Sequence, residues 1–244
     1  MSQTIAIFGA TSAIAKGYAR LKSNQSNRFI LIGRNNQTLE ELKMDLLARG
    51  AENIRTISYD FENIVDQEKL ILDVFIDRVD IALFAYGTLP SQEQCKTDPI
   101  YLQQYFSLNV TSNIRLMSLV AEKMKQQGMG SIAAITSVAG DRGKKSNYYY
   151  GSSKASVSVF LQGLRQDLFE NGIHVLDIKP GFVDTPMTEN FKKGILWAKP
   201  SDIAKGIDSA IQNRKDVIYL PFFWRFIMAI IVSIPEVIFK KLKL

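Results

Sequence analysis

The sequence has few of the residues that build disulfides and metal sites. Its 244 residues include one cysteine, Cys95, and one histidine, His174. A single cysteine excludes an intrachain disulfide and a cysteine-based metal centre, so we predict no metal site and a reduced, cytoplasmic setting. His174 lies in a strand-like stretch without a companion nucleophile, and we interpret it as a structural side chain. Cys95, in a polar loop, is interpreted as an incidental thiol.

Targeting and low-complexity segments are also lacking. The N-terminus leads directly into a strand-like pattern, without the basic stretch, apolar run and cleavage site of a signal peptide. The net charge is only +6, and no basic strip interleaved with exposed aromatics indicates nucleic-acid binding. This modest excess of positive charge fits binding to a membrane surface or a phosphorylated substrate better than binding to nucleic acid. With 46% hydrophobic and 22% charged residues, the chain can bury one globular core.

Short apolar runs alternate with helix-like segments along the chain. Near-continuous apolar character is typical of strands that are buried on both faces. We therefore predict a Rossmann-type α/β fold, with a doubly wound, mostly parallel seven-stranded sheet and helices on both faces. The predicted strands are Thr4–Ala10, Phe29–Gly33, Ile54–Tyr59, Ile81–Tyr86, Ser131–Thr136, His174–Ile178 and Val217–Leu220. The stretch 98–127 predicts one long amphipathic helix, with Asn109 among apolar neighbours.

A tyrosine and a lysine four residues apart predict a site for proton transfer. If Tyr150 begins a helix, Lys154 lies on the same helical face, where its ammonium can make the phenol more acidic. Ser137, which follows a predicted strand, can hold a carbonyl oxygen. These three side chains predict a site that reduces ketones or oxidises alcohols.

The strand ends carry features of a dinucleotide site. The first strand runs through Gly9–Ala15 into a helix, an arrangement that either receives a pyrophosphate or makes a tight, closely packed turn. Arg34 follows the second strand with no acid at the tip, which favours NADP(H) over NAD(H); a solvated arginine is the alternative. Asp60-Phe61 and Ala85-Tyr86-Gly87 close the next two strands and are either cofactor contacts or ordinary loops.

With Gly9–Ala15, Asn109, Ser137, Tyr150–Lys154 and Pro180–Thr185 in this order, the chain resembles the short-chain dehydrogenase/reductase family over residues 4–220. The resemblance implies a homo-oligomer and a catalytic tetrad of Asn109, Ser137, Tyr150 and Lys154. Ala13 and Ala15 stand where the family has its later phosphate-loop glycines. The implied cofactor-binding residues are Gly9, Thr11, Ser12, Ala13, Ile14, Arg34, Asp60, Phe61, Ala85, Tyr86, Gly87, Tyr150, Lys154, Pro180, Gly181, Val183 and Thr185.

Two stretches, 139–148 and 219–242, give a narrower resemblance, to the reductase subunits of decaprenylphosphoryl-ribose epimerases. It implies NAD(P)H-dependent reduction of a polyprenyl-phosphate-linked 2-keto-pentose to the arabinose epimer, together with a flavin-dependent oxidase partner. The basic residues Arg142, Lys144 and Lys145 are candidates for the substrate phosphate, or are simply solvated. Two alternatives are a generic short-chain reductase of another lipid-like ketone or alcohol, and a non-catalytic dinucleotide-binding scaffold.

The C-terminal part of the chain differs from the rest in composition. We predict a dinucleotide-binding catalytic domain over 1–220 and an apolar tail helix within 221–244. Leu220–Ile234 is interrupted by Arg225 and is shorter than the roughly 20 apolar residues that span a bilayer. We expect it on the inner face of the plasma membrane, or in an oligomer interface. Its predicted anchors are Phe222, Phe223, Trp224, Phe226 and Ile230, with Lys240, Lys241 and Lys243 at anionic headgroups.

Overall fold

A computed structural model describes residues 2–23 and 26–242, and its centre is a parallel seven-stranded sheet. The strand order is β3-β2-β1-β4-β5-β6-β7, with every neighbouring pair parallel. This confirms the predicted fold class. The strands are β1 (Thr4–Phe8), β2 (Arg28–Gly33), β3 (Asn53–Ser58), β4 (Ile81–Phe84), β5 (Ser131–Ile135), β6 (His174–Pro180) and β7 (Val217–Leu220).

Helices cover both faces of the sheet. They are α1 (Ala13–Lys22), α2 (Asn36–Ala48), α3 (Gln67–Val74), α4 (Gln92–Thr97), α5 (Pro99–Phe106), α6 (Asn113–Gln127), α7 (Tyr148–Leu168), α8 (Pro200–Gln212), α9 (Trp224–Ser233) and α10 (Glu236–Phe239). Because successive strand residues point to opposite faces, β1 supplies both cores. Ile5 and Ile7 pack with α1, α2 and α8, whereas Ala6 and Phe8 pack with α3, α6 and α7.

The chain reverses direction across the sheet between β1 and β4. After β3 the chain crosses to the other side of β1, and β4 to β7 then follow in order. Crossovers on either side of such a point leave a crevice beyond the carboxyl ends of the strands, which is where open α/β sheets bind ligands. The ends of β1, β4, β5 and β6 carry most of the predicted site residues.

The predicted long helix over 98–127 consists of three parts. Asp98 caps α5, accepting hydrogen bonds from the N–H groups of Ile100 and Tyr101, and a π-helical segment, Ser107–Ser112, joins α5 to α6. Two buried amides explain the wider turn: the Asn109 Nδ2 donates to the Tyr105 carbonyl, and the Asn113 Nδ2 donates to that of Asn109. These side chains supply donors to carbonyls four residues back, where an α-helix uses backbone N–H groups.

The residues after β7 pack against the turn that follows β5. Trp224 and Met228 of α9 are buried together with Val138, which follows β5. Within residues 2–23 and 26–242, no helix has the length and apolar character needed to cross a membrane. Lys243, one of the predicted headgroup contacts, lies outside the described residues.

Candidate active site

A cavity of about 470 Å³ opens at the carboxyl ends of the strands. Its lining includes every predicted cofactor-binding residue except Asp60, and also Ser137. Asp60 is exposed, and its carboxylate accepts a hydrogen bond from the Glu62 N–H in the turn after β3. Further lining residues, outside the predicted site residues, are Gly33, Asn35, Thr88, Leu108, Ile135, Thr136, Pro186, Met187 and Thr188.

Ser137 and Tyr150 lie together in this cavity. Ser137 follows β5 and caps a short 3₁₀ turn, because its Oγ accepts a hydrogen bond from the Ala139 N–H at 3.1 Å. Tyr150 lies in the first turn of α7. Two glycines allow the two elements to approach closely. A Cβ on Gly151 would lie 2.7 Å from the Ala139 carbonyl oxygen, and one on Gly140 would lie 2.9 Å from the Ala155 nitrogen.

Lys154 lies one turn after Tyr150, as the four-residue spacing predicts. Its Nζ is 5.8 Å from the centre of the Tyr150 ring and donates to the Ile135 carbonyl at 3.1 Å. Burial lowers the pKa of Lys154 to about 8, against the opposing charge of Asp177. Burial also raises the pKa of Tyr150, and the hydrogen bond with Ser137 lowers it by less. The prediction of a more acidic phenol is therefore wrong for the protein alone, because desolvation disfavours the phenolate.

Asn109 fixes the loop that follows β4. Its Oδ1 accepts from the Thr88 N–H at 2.8 Å, and its Nδ2 donates to the Thr88 hydroxyl at 3.2 Å. Gly87 has a φ of +146°, and a Cβ there would lie 2.7 Å from the Asn109 Oδ1 and 3.7 Å from the Lys154 Nζ. Asn109 and Lys154 therefore border the same small space beside Gly87, although Asn109 is not among the lining residues of the cavity.

A buried ionic network lies beneath the turn 137–141, which we call the catalytic turn because it begins at Ser137, a predicted catalytic residue. The Lys179 Nζ, on β6, is 2.6 Å from an Asp141 carboxylate oxygen and 3.7 Å from one of Asp177. The Tyr219 hydroxyl donates to the second Asp141 oxygen at 2.9 Å, and the Thr136 hydroxyl donates to Asp177. Because Thr136 precedes Ser137 and Asp141 closes the turn after it, the network ties both ends of the catalytic turn to β6 and β7.

The three predicted phosphate ligands have different surroundings. Arg142 binds the C-terminal segment: its guanidinium donates to the carbonyls of Ile231, Val232 and Ile234 and to the Glu236 carboxylate, and stacks on the Phe239 ring. These contacts favour an anchoring role over the predicted phosphate contact. Lys144 is partly buried, which lowers its pKa, and Lys145 is exposed.

His174 lies away from the cavity, at the amino end of β6. Its Nε2 lies 2.7 Å from the Lys215 carbonyl oxygen, and burial is the main cause that lowers its pKa. This agrees with the interpretation of the only histidine as a structural side chain.

The cavity fits a dinucleotide. Gly9 has a φ of +84°, and a Cβ there would lie 2.7 Å from the Tyr86 backbone nitrogen, so only glycine allows the loop to pass this closely. Ala13 and Ile14 line the cavity from the first turn of α1, whose N–H groups lack intrahelical acceptors and can bind phosphate oxygens. The Phe61 ring stacks on that of Tyr86 with centroids 3.9 Å apart, giving the cavity a flat aromatic wall.

Comparison with known proteins identifies the family. A family model described as short chain dehydrogenase matches residues 3–195, about four fifths of the chain. The chain belongs to the short-chain dehydrogenase family. A Mycobacterium tuberculosis relative, named only as an uncharacterized oxidoreductase, is 28% identical over 240 residues, which cover 98% of this chain and 96% of the relative.

Solved structures of this family share the fold. A short-chain dehydrogenase from Sphingobium yanoikuyae in complex with NADPH has a TM-score of 0.82 at 22% identity, covering 96% of this chain and 97% of that one. A bulky-bulky ketone specific alcohol dehydrogenase from Comamonas testosteroni has a TM-score of 0.81 at 22% identity, covering 96% and 95%. Family membership, together with the site geometry, makes this short-chain dehydrogenase an NAD(P)-dependent oxidoreductase.

Proposed function

We propose that the protein reduces the keto group of a polyprenyl-phosphate-linked 2-keto-pentose, with NADP(H) preferred to NAD(H). One observation carries this proposal: the two stretches on which the narrower resemblance rests pack against each other beside the cavity. Arg142, in the first stretch, binds three carbonyls between Ile231 and Ile234 in the second. A joint structure at the rim of the site supports a shared role for both stretches in binding the substrate.

The rim of the cavity suits a lipid-linked substrate. Phe182 stacks on Trp197 with ring centres 5.4 Å apart and meets the edge of the Trp224 ring at 5.5 Å. Trp224 is buried beneath these contacts, and the exposed Phe182 ring and the partly exposed Trp197 ring offer an apolar surface to a polyprenyl chain. Lys144 and Lys145 follow the catalytic turn, and an ammonium group on either one can bind the phosphate. An open rim is also compatible with a bulky ketone, the kind of substrate named for the Comamonas alcohol dehydrogenase.

The NADP(H) preference rests on the end of β2. Arg34 lines the cavity directly after this strand and Asn35 follows it, so no carboxylate stands where a free ribose hydroxyl is ordinarily bound. The guanidinium is exposed and, within the described part of the chain, its one charged contact is a long one with Glu62, at 3.8 Å. It is therefore available for the additional phosphate of NADP(H). The NADPH complex of the Sphingobium relative supports the same preference.

The chain's own residues supply the proton and the charge stabilisation for the reaction. The nicotinamide, when bound, supplies the hydride. Tyr150 donates its proton to the carbonyl oxygen as negative charge develops there, and Ser137 donates a hydrogen bond to the same oxygen. Lys154, cationic below its pKa of about 8, stabilises the resulting phenolate. Asn109, across Gly87 from the Lys154 ammonium, positions a water that returns a proton. A flavin-dependent oxidase that forms the 2-keto-pentose is the partner this reaction requires.

The test is reduction of a synthetic polyprenyl-phosphate-linked 2-keto-pentose by the purified protein with NADPH. We expect cofactor oxidation together with formation of the arabinose epimer. Tyr150→Phe removes one hydroxyl and should abolish turnover while NADPH binding is retained. Near-normal turnover by this variant would refute the assigned proton donor. Turnover of simple bulky ketones without turnover of the keto-sugar lipid would refute the proposed substrate and leave a generic ketone reductase.

A further inference from the structure

Helix α9 is apolar on both of its faces. Its inner face packs on the catalytic part of the chain through buried Trp224 and Met228. Its outer face carries Phe222, just before the helix, then Phe226 and Ile230, which are 73%, 63% and 68% exposed. The spacing of four residues places these three side chains in one stripe. A helix on the surface of a soluble domain ordinarily has a polar outer face, so this stripe indicates a binding surface.

Arg142, directly after the catalytic turn, holds the C-terminal end of α9 in place. Arg142 donates to the carbonyls of Ile231, Val232 and Ile234, which lie at and just beyond the C-terminal end of α9. Its guanidinium also binds the Glu236 carboxylate and stacks on Phe239 of α10. These contacts use the polar groups where α9 ends, and they leave the apolar stripe facing outward.

The charges beside the stripe identify the kind of partner. The exposed cations of the described C-terminal segment, 221–242, are Arg225, Lys240 and Lys241. The segment's one acid, Glu236, is paired with Arg142. A second copy of the chain, placed face to face about a twofold axis, would set two surfaces of the same positive charge against each other, which disfavours self-association. An anionic lipid surface complements both the apolar stripe and the cations.

A second apolar element lies at the mouth of the cavity. The loop between β6 and α8 exposes Phe191, Ile195 and Leu196. Met187, in the same loop, lines the cavity and is also exposed. The loop and α9 are connected through Phe182, which contacts Trp197 on one side and Trp224 on the other.

We propose that α9, α10 and the loop 187–196 form one docking surface for an anionic lipid bilayer. Bound in this way, the protein turns the mouth of its cavity toward the bilayer, so that a ketone carried on a membrane lipid enters without crossing water. The docking surface is defined by geometry and charge, and it does not depend on the identity of the sugar in the proposed substrate. Membrane binding and turnover can therefore fail independently.

The experiment is co-sedimentation of the full chain with phosphatidylglycerol vesicles and with phosphatidylcholine vesicles. We expect stronger binding to phosphatidylglycerol, weakening as salt screens the cations. The double variant Phe226→Ser/Ile230→Ser should bind at least about tenfold more weakly, because two apolar anchors are lost. Lys240→Glu/Lys241→Glu should lose the preference for phosphatidylglycerol.

Phe169→Ser is the matched control. Phe169 is 79% exposed, but it lies between α7 and β6 at the amino ends of the strands, whereas α9 follows the carboxyl end of β7, so vesicle binding should not change. Melting temperatures identify any variant that has lost its fold. Equal loss in the Phe169 variant would overturn the proposal, since the binding would then be nonspecific. No vesicle binding by the wild type, with an oligomer that dissociates in the Phe226/Ile230 variant, would also overturn it and assign the stripe to an interface between copies.

Discussion

The ion pair between Asp141 and Lys179 should contribute measurably to stability. Both side chains are only 9% exposed, and the Lys179 Nζ lies 2.6 Å from the Asp141 carboxylate. Removing one partner leaves a buried charge without its counterion, which costs about 3–5 kcal/mol. For a chain of this length each kcal/mol lowers the melting temperature by about 2–4 °C. We therefore expect Asp141→Asn or Lys179→Met to lower it by roughly 6–20 °C.

A double-mutant cycle separates this pair from its neighbours. The variants are Asp141→Asn, Lys179→Met and the two combined, with unfolding followed by circular dichroism in urea. Since the two groups contact each other, the double variant should be less destabilised than the sum of the single ones, by at least about 1 kcal/mol. Lys179 also lies 3.7 Å from Asp177, so its removal leaves a second acid uncompensated and should cost more than removal of Asp141.

An exposed ion pair of equal length provides the control. Lys193 and Asp184 are also 2.6 Å apart, but their side chains are 50% and 48% exposed. Solvent screens such a pair, so Lys193→Met should change stability by less than about 1 kcal/mol. If Lys179→Met and Lys193→Met had similar effects, or if the Asp141/Lys179 cycle were additive, burial would not be what makes the pair important.

Three further changes test the site. Gly151→Ala should lower kcat about tenfold or more, because the added Cβ meets the Ala139 carbonyl and moves Tyr150 away from Ser137. The control is Gly163→Ala, on the same helix with open space around it, which should leave kcat unchanged. Burial lowers the Lys154 pKa from 10.5 to about 8, so across that pH window the unfolded state binds more protons and stability should rise with pH. Lys154→Met should remove that rise in the cofactor-free protein. If the slope of unfolding free energy against pH were unchanged in this variant, the lowered pKa of the buried Lys154 would be contradicted. Arg34→Ala should raise the KM for NADPH about tenfold and leave that for NADH unchanged, whereas equal effects would exclude a contact with the additional phosphate.

The sheet was predictable because its strands carry local signals. The inner strands β1, β4 and β5 carry near-continuous apolar runs because both of their faces are covered, whereas the edge strands β3 and β7 are only partly buried. All seven predicted strands nevertheless correspond to strands of the structure. The positions of the proposed catalytic side chains were predictable for a similar reason. Tyr150 and Lys154 are related by one helical turn, and Ser137 directly follows a strand, so their positions depend on short-range geometry.

Other features depend on contacts between distant parts of the chain. In β6, Asp177 and Lys179 alternate with apolar residues, a pattern that also fits an ordinary strand with one exposed face. The buried ion pair of Lys179 was not predicted because its partner, Asp141, is 38 positions away in the sequence. The π-helical segment could not be predicted from the spacing of apolar residues. It depends on two side-chain amides that donate to helix carbonyls. The acidic tyrosine was wrongly predicted because spacing gives the distance to a charge but not the desolvation of the phenol.

The turn after β5 connects the reaction site to the C-terminal segment through two adjacent residues. Asp141 binds inward, to Lys179 and Tyr219, whereas Arg142 binds outward, to the end of α9. Ser137 begins the same turn, and Val138 packs on Trp224 and Met228. Val138 and Arg142 therefore connect α9 directly to the turn that begins at Ser137. For this reason, changes in the docking surface that loosen α9 should lower turnover even of a small, water-soluble ketone, whereas changes confined to its outer stripe should not.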